Sequence, residues 1–250
     1  MLGLKGKTVL VTGASRGIGA AIARQAADAG ASLILHATAA GPEIDEVAES
    51  RKIPPSRLIF EDLAEPEAGF RLFEKALGAA PRIDAVVNNA GIYVESPLTA
   101  PRREWLDAWS KTNAVNVQAP ADICQAAIGH FRRTGGGIVV NIASRAGHRG
   151  DAIDGAAYAA SKGAVLAMTK TFARALAAEN ILFYALAPGW VETRMAPKDV
   201  EARRRAVADI PLGRVATPEE VAAMAVFLLS GDCASATGAT FDINGASYVR

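Results

Sequence analysis

KTVLVTGASRGIG, residues 7–19, is a short apolar run that breaks into a glycine turn and reopens as a helical pattern. Gly13, Gly17 and Gly19 let the backbone turn tightly, approach a pyrophosphate closely and seat the following helix on the sheet. Ser15, Arg16 and Ile18 stand between them. A helix that starts here offers unpaired N–H groups and the positive end of its dipole to an anion. The stretch therefore predicts a dinucleotide site. Three residues separate Gly13 from Gly17, so the spacing departs from G-x-G-x-x-G, and glycine spacing by itself also fits an ordinary tight turn. Its place between a first strand and a first helix is what gives it weight.

Apolar runs recur along the chain at 7–12, 31–36, 57–60, 84–88, 137–142, 181–187 and 239–243. Several are apolar throughout, as expected of parallel strands covered on both faces. Helical patterns lie between them at about 17–29, 66–78, 102–133 with a break, 155–179 and 217–230. Strict alternation predicts an α/β fold, a doubly wound sheet of about seven parallel strands flanked by helices on both faces. Thr217, Pro218 and Glu220 form a capping box that fixes the start of the last helix. With no repeat, low-complexity tract or linker, residues 1–250 are expected to form one cofactor-binding and catalytic domain. The least regular segment, about 189–212, is either a substrate lid or a solvated connection.

Bulk properties exclude several classes. The chain is 50% hydrophobic and 21% charged with a net charge of +1, so disorder is excluded and no broad field attracts nucleic acid or a membrane surface. The runs Arg102–Arg103, Arg132–Arg133 and Arg203–Arg205 are short, carry no interleaved aromatics and read as solvated faces. Cys124 and Cys233, and His36, His130 and His148, show no metal-ligand spacing, so neither a disulfide nor a metal is expected. No long uncharged apolar segment and no leader-like start is visible, which predicts a cytoplasmic protein.

From the glycine turn onward the chain resembles the short-chain dehydrogenase/reductase family in its short single-domain branch. The marks are TGASRGIG (12–19), NNAG (88–91), the serine of NIAS (141–144), YAASK (158–162) and APGWVET (187–193), in that order and over nearly the whole chain. The resemblance implies a Rossmann-type fold and hydride transfer between a carbonyl and a secondary alcohol. An acidic residue at the end of the second strand would bind a free ribose 2′-hydroxyl and repel a 2′-phosphate. That position holds Ala37, followed by Thr38, while Arg16 supplies a cation nearby, so NADP(H) is preferred and NAD(H) is the alternate. Arg16 has a plain reading as a surface arginine. Asp62, with Leu63 beside it, matches the adenine-contacting position, and its plain reading is a capping aspartate. By resemblance, Asn88, Ala90 and Gly91 form the turn beside the cofactor ribose, and Pro188, Gly189, Val191 and Thr193 hold the nicotinamide end.

Tyr158 and Lys162 are four residues apart, which on a helix places them on one face. An ammonium near a phenol favours the phenolate and is expected to bring its pKa toward neutrality. The resemblance implies that Tyr158 is the general acid in reduction and the base in oxidation. Ser144 would hold the substrate oxygen, and Lys162 would bind the nicotinamide ribose as well as tune the phenol. The fourth catalytic position is an asparagine. Asn113 and Asn116 compete for it, and Asn116 is preferred because it stands just ahead of Ala119–Pro120; its implied role is to hold a water that links Lys162 to solvent.

The substrate is expected to be a small-molecule carbonyl or alcohol. Tyr93, Arg145, His148, Ile153 and Trp190 are candidate pocket residues, a mixture suited to an acidic or polar compound. Among family members the sequence looks most like the 3-oxoacyl-thioester reductases. Glu179–Asn180 departs from that group, where a basic residue typically meets an acidic carrier protein. A cofactor-binding regulator without turnover and a lyase or epimerase are the competing readings. The resemblance also implies a homotetramer, with no nucleic-acid or membrane partner.

Overall fold

In the computed structural model the described residues are 3–194 and 199–250. The strands are β1 Thr8–Val11, β2 Ser32–Ala37, β3 Leu58–Phe60, β4 Ala85–Asn88, β5 Gly137–Ile142, β6 Ile181–Pro188 and β7 Thr240–Ile243. They form one parallel sheet in the order β3-β2-β1-β4-β5-β6-β7. All seven expected strands are present within a residue of their predicted ends.

The helices among the described residues are α1 Gly17–Asp28, α2 Pro42–Ser50, α3 Ala68–Ala79, α4 Arg102–Asn113, α5 Ala119–Thr134, α6 Ala146–Arg149, α7 Ala156–Leu176, α8 Val200–Ala208 and α9 Pro218–Ser230. Side chains alternate across each strand, so one strand feeds two cores. Val9 and Val11 face α1, α2 and α9, whereas Leu10 between them faces α3 and α5. Burial on both faces explains the unbroken apolar runs.

The chain winds outward from β1 to β3 and then returns to place β4 on the other side of β1. At that reversal the loops leaving β1 and β4 separate, and a crevice opens at the carboxyl ends of the strands. Glycine conformation shapes its floor: Gly13 and Gly17 have φ of 62° and 54°. Both lie in the left-handed region, which a side chain would strain.

The break expected within 102–133 is a π-helical turn, Ala114–Gln118, between α4 and α5. Pro120 has no N–H to offer the Asn116 carbonyl, so the regular α ladder is interrupted there. α9 starts at the predicted capping box. The Thr217 hydroxyl accepts from the Glu220 N–H at 3.3 Å, and the Glu220 carboxylate accepts from the Thr217 N–H at 2.8 Å.

Three helices, α2, α6 and α8, depart from the sequence expectation. α2 opens at Gly41–Pro42 and buries Ile44, Val47 and Ala48, a short stripe in an otherwise polar segment. α8 lies inside the segment expected to be irregular and is capped by Asp199, whose side chain accepts from the Ala202 N–H. Residues 195–198, also part of that expected lid or connection, lie outside the described residues.

Candidate active site

The glycine turn is clamped from three strands. Thr12 accepts from the N–H groups of Asn89 at 2.9 Å and Ala90 at 3.0 Å, and the Asn89 amide donates to the carbonyls of Thr12 at 2.8 Å and Gly13 at 3.0 Å. From β2, His36 Nδ1 accepts from the Gly13 N–H at 3.2 Å, which leaves Nε2 to donate to the Glu61 carbonyl at 2.9 Å. Burial pushes the His36 pKa down and favours this neutral form. Gly19 closes the turn: a Cβ there would lie 2.2 Å from the Gly13 oxygen. Asn89 and His36 were not among the expected site residues. The second asparagine of NNAG was the available signal for one; nothing in a lone histidine marked the other.

A cavity of about 1370 Å³ runs along the crevice. Every expected catalytic and cofactor-binding residue lines it except Gly19, Asn88 and Asn116. Gly19 lies behind the turn. Asn88 directs its amide inward, donating to Asn141 at 2.9 Å and toward the Cys124 sulfur at 3.5 Å, because β4 and β5 pair these asparagines in register. Asn89, not the Asn88 side chain, lines the crevice at this turn. At the far end Ala37 finishes β2 with no acid, and Arg16 reaches Glu43 at 3.2 Å. Arg194 contacts the same carboxylate. Asp62 also caps its own turn, accepting from the Ala64 N–H at 3.0 Å.

At the other end, Ser144, Tyr158 and Lys162 converge. Ser144 follows β5 and is buried; its hydroxyl accepts from the Ala146 N–H at 3.1 Å and also reaches the Tyr158 phenol. Tyr158 and Lys162 stand one turn apart on α7, as their spacing predicts. The Lys162 ammonium lies 5.7 Å from the phenol ring centroid and donates to the Ile142 carbonyl at 2.8 Å. Its interaction with the phenol differs from expectation. Burial holds the Tyr158 pKa above its ordinary value, with the hydrogen bond to Ser144 acting the other way. Among the described residues Lys162 has no carboxylate beside it, and burial lowers its own pKa to about 8.

Asn116 sits on the π turn directly behind this group. Its Oδ1 accepts from the Ile92 N–H at 2.9 Å, and its Nδ2 donates to the Ile92 carbonyl at 2.9 Å and to Ser161 Oγ at 3.0 Å. Asn113 is exposed. Between the two asparagines, only Asn116 supports the cavity wall.

Tyr93, Arg145 and Trp190 line the cavity, and the Tyr93 ring lies 5.1 Å from that of Tyr158. His148 and Ile153 do not. His148 stacks on Tyr248 at 5.9 Å, and Ile153 is exposed to solvent. The basic runs are surface features as expected: Arg132 pairs with Glu179, Arg203 with Glu192 and Arg204 with Glu201. Among the described residues no helix is long and apolar enough to cross a membrane, and no cluster of three or more His, Cys, Asp or Glu could hold a metal.

A glycine turn at the switch point of a doubly wound sheet defines a dinucleotide-binding α/β protein. Comparison with known proteins narrows this. A family model described as enoyl-(acyl carrier protein) reductase matches residues 13–246. The 3-oxoacyl-(acyl-carrier-protein) reductase FabG of Thermotoga maritima is 34% identical, over 98% of this chain and 99% of its own. A 3-oxoacyl (acyl-carrier-protein) reductase from Agrobacterium tumefaciens C58, solved with NADP bound, is 35% identical with a TM-score of 0.85, over 98% of this chain and 95% of that one. A blue fluorescent protein from a metagenomic library, solved with NADPH, is 32% identical with a TM-score of 0.88, over 98% and 99%. The chain belongs to the short-chain dehydrogenase/reductase family.

Proposed function

We propose that this chain is an NADP(H)-dependent oxidoreductase that interconverts a carbonyl and a secondary alcohol. The observation that carries the reading is the convergence of Ser144, Tyr158 and Lys162 on the cavity that begins at the glycine turn. The cradle suits a dinucleotide. Gly13 and Gly17 adopt backbone conformations that favour glycine, and the Gly19 position has no room for a side chain, so main-chain groups can approach a pyrophosphate.

Ser15, Arg16, Gly17 and Ile18 would hold the phosphates, Ala37 and Thr38 the 2′-phosphoribose, and Asp62 and Leu63 the adenine. Ala90, Gly91, Tyr158 and Lys162 would flank the nicotinamide ribose, with Pro188, Gly189, Val191 and Thr193 at the carboxamide. Gly19 and Asn88 would support these groups from behind. When bound, the cofactor supplies or accepts the hydride. Ser144 holds the substrate oxygen, and Tyr158 gives it a proton during reduction and removes one during oxidation. A phenol held in its protonated form by burial suits the donor role. Lys162 adds positive charge beneath the ring, and Asn116 keeps the Ile92 wall in place and holds the water that returns a proton to the site.

NADP(H) is favoured over NAD(H) by the missing acid at Ala37, by Arg16 at the same end and by the NADP and NADPH seen in the solved relatives. A 3-oxoacyl-(acyl-carrier-protein) substrate is the more specific reading, favoured by the relatives' names. The Glu179–Arg132 pair weighs against the carrier protein, because it places a neutralised acid where that partner would need a free cation. A regulator without turnover would have no use for the intact Ser144–Tyr158–Lys162 group. We place the activity in one cytoplasmic domain assembled as a homotetramer, the arrangement the family resemblance implies. The test is oxidation of NADPH, beside NADH, with a 3-oxoacyl thioester. Preferential consumption of NADPH supports the reading, and failure to bind either nucleotide overturns it.

A further inference from the structure

The cavity is charged unevenly with depth. Its substrate end carries Glu95 and Asp151 together with Lys111 and Arg149, and all four are exposed at the rim. On the floor stand two buried cations, Lys162 at 5% exposure and Arg145 at 6%. Lys162 already belongs to the site described above. Arg145 lines the same cavity directly after Ser144 but has no role in the chemistry described above.

A buried guanidinium normally has a carboxylate beside it, because removing the charge from water is costly. Arg145 forms no ion pair with any described residue. Among the described residues its one side-chain hydrogen bond is to the neutral Ser247 hydroxyl, and its backbone N–H is satisfied by the Pro188 carbonyl at 3.0 Å. Ser247 in turn donates to the Asn244 carbonyl at 2.7 Å, so no negative charge enters through it. Burial pulls the Arg145 pKa down, the Arg149 cation acts in the same direction, and Asp151 and Asp209 oppose them from a distance. A guanidinium presents five donors in a planar fork, more than this one bond uses.

We infer that Arg145 is a specificity-determining residue: the substrate is a ketone or secondary alcohol that carries its own anionic group, a carboxylate or a phosphate, within reach of Arg145 when its oxygen lies on Ser144. The substrate supplies the negative charge that the protein omits. The plain alternative is that Arg145 only anchors the C-terminal turn through Ser247. The inference rests on the carbonyl-reductase reading above.

The experiment compares matched substrates with the NADPH-loaded protein: 3-oxobutanoate against its methyl ester for a carboxylate, and dihydroxyacetone phosphate against dihydroxyacetone for a phosphate. The expected result is a preference of about tenfold or more for the charged member of one pair, carried mainly in KM, since hydrogen bonds to charged groups are worth more than neutral ones. The preferred pair names the anion. In Arg145→Gln the preference should collapse toward unity, and Arg145→Lys should recover part of it; a residue that only anchored the turn would lower stability without changing the ratio. Where none of the four substrates is turned over, calorimetric titration of malonate against malonamide decides: tighter binding of malonate that is lost in Arg145→Gln supports the inference, and equal binding overturns it. A wild-type ratio near unity, or one unchanged in Arg145→Gln, also overturns it. Either failure with NADPH still oxidised leaves the reductase reading intact, whereas loss of NADPH binding in the wild type strikes that reading instead.

Discussion

Asn116→Ala should be among the more destabilising single truncations in this chain, although it removes only a few atoms. The Asn116 amide makes three hydrogen bonds at 2.9 to 3.0 Å, two of them to the backbone of Ile92. Alanine leaves the Ile92 N–H and carbonyl without their partners in a partly buried wall. Ser161 loses less, since its hydroxyl still donates to the Tyr158 carbonyl at 2.7 Å. At about 1 kcal/mol for each ordinary bond, and more where a buried group is orphaned, the loss sums to about 2–4 kcal/mol. For a chain of this size that corresponds to a fall of about 5–15 °C in the unfolding midpoint. Asn113→Ala is the internal control: Asn113 is exposed at the end of α4, and its removal should change stability by about 0.5 kcal/mol or less. Urea denaturation followed by circular dichroism, run on both variants, measures the difference. Equal stabilities for the two variants would refute the clamp and with it the choice of Asn116 over Asn113.

Two further predictions concern pH. Lys162 has its pKa lowered to about 8 by burial, from an ordinary 10.5, so between these values the unfolded chain binds a proton that the folded chain does not. Its cost is therefore fully present below pH 8 and is relieved as pH rises toward 10.5. The stability gained by Lys162→Met should shrink across that window, and a gain independent of pH would contradict it. His36 has its pKa pushed below 6.5 by burial, with Glu61 and Asp62 opposing and Lys75 reinforcing the shift. Its contribution is present above pH 6.5 and is lost as pH falls, because a protonated Nδ1 can no longer accept from the Gly13 N–H. Stability and NADPH affinity should both drop between pH 7 and 5 in the wild type and less steeply in His36→Gln; parallel profiles would exclude the pin.

The strands were legible because parallel burial writes itself as unbroken apolar runs, and the glycine turn because so few backbones permit it. α8 was not, since it buries no residue and so carries no apolar stripe. α2 left only Ile44, Val47 and Ala48 as a signal, which was too short to stand out. Within the site, sequence spacing placed Tyr158 and Lys162 on one face but could not show where the ammonium points; the Ile142 carbonyl sets that, and it belongs to another element. The inward direction of the Asn88 side chain was hidden for a related reason. Adjacent residues in NNAG point in opposite directions, so one amide joins the Asn141 pair inside the sheet and the next clamps the glycine turn. His148 and Ile153 were expected in the pocket from their place in the chain, and the fold turns one toward Tyr248 and the other to solvent.

NADPH oxidation by Tyr158→Phe, with NADPH affinity measured on the same preparation, is the decisive measurement. The ring contacts survive in phenylalanine, and the hydroxyl is lost with its transferable proton and its hydrogen bond to Ser144. Turnover should fall by about 10²- to 10⁴-fold while NADPH affinity stays within about threefold of wild type. Turnover within about tenfold of wild type would show that another group donates the proton.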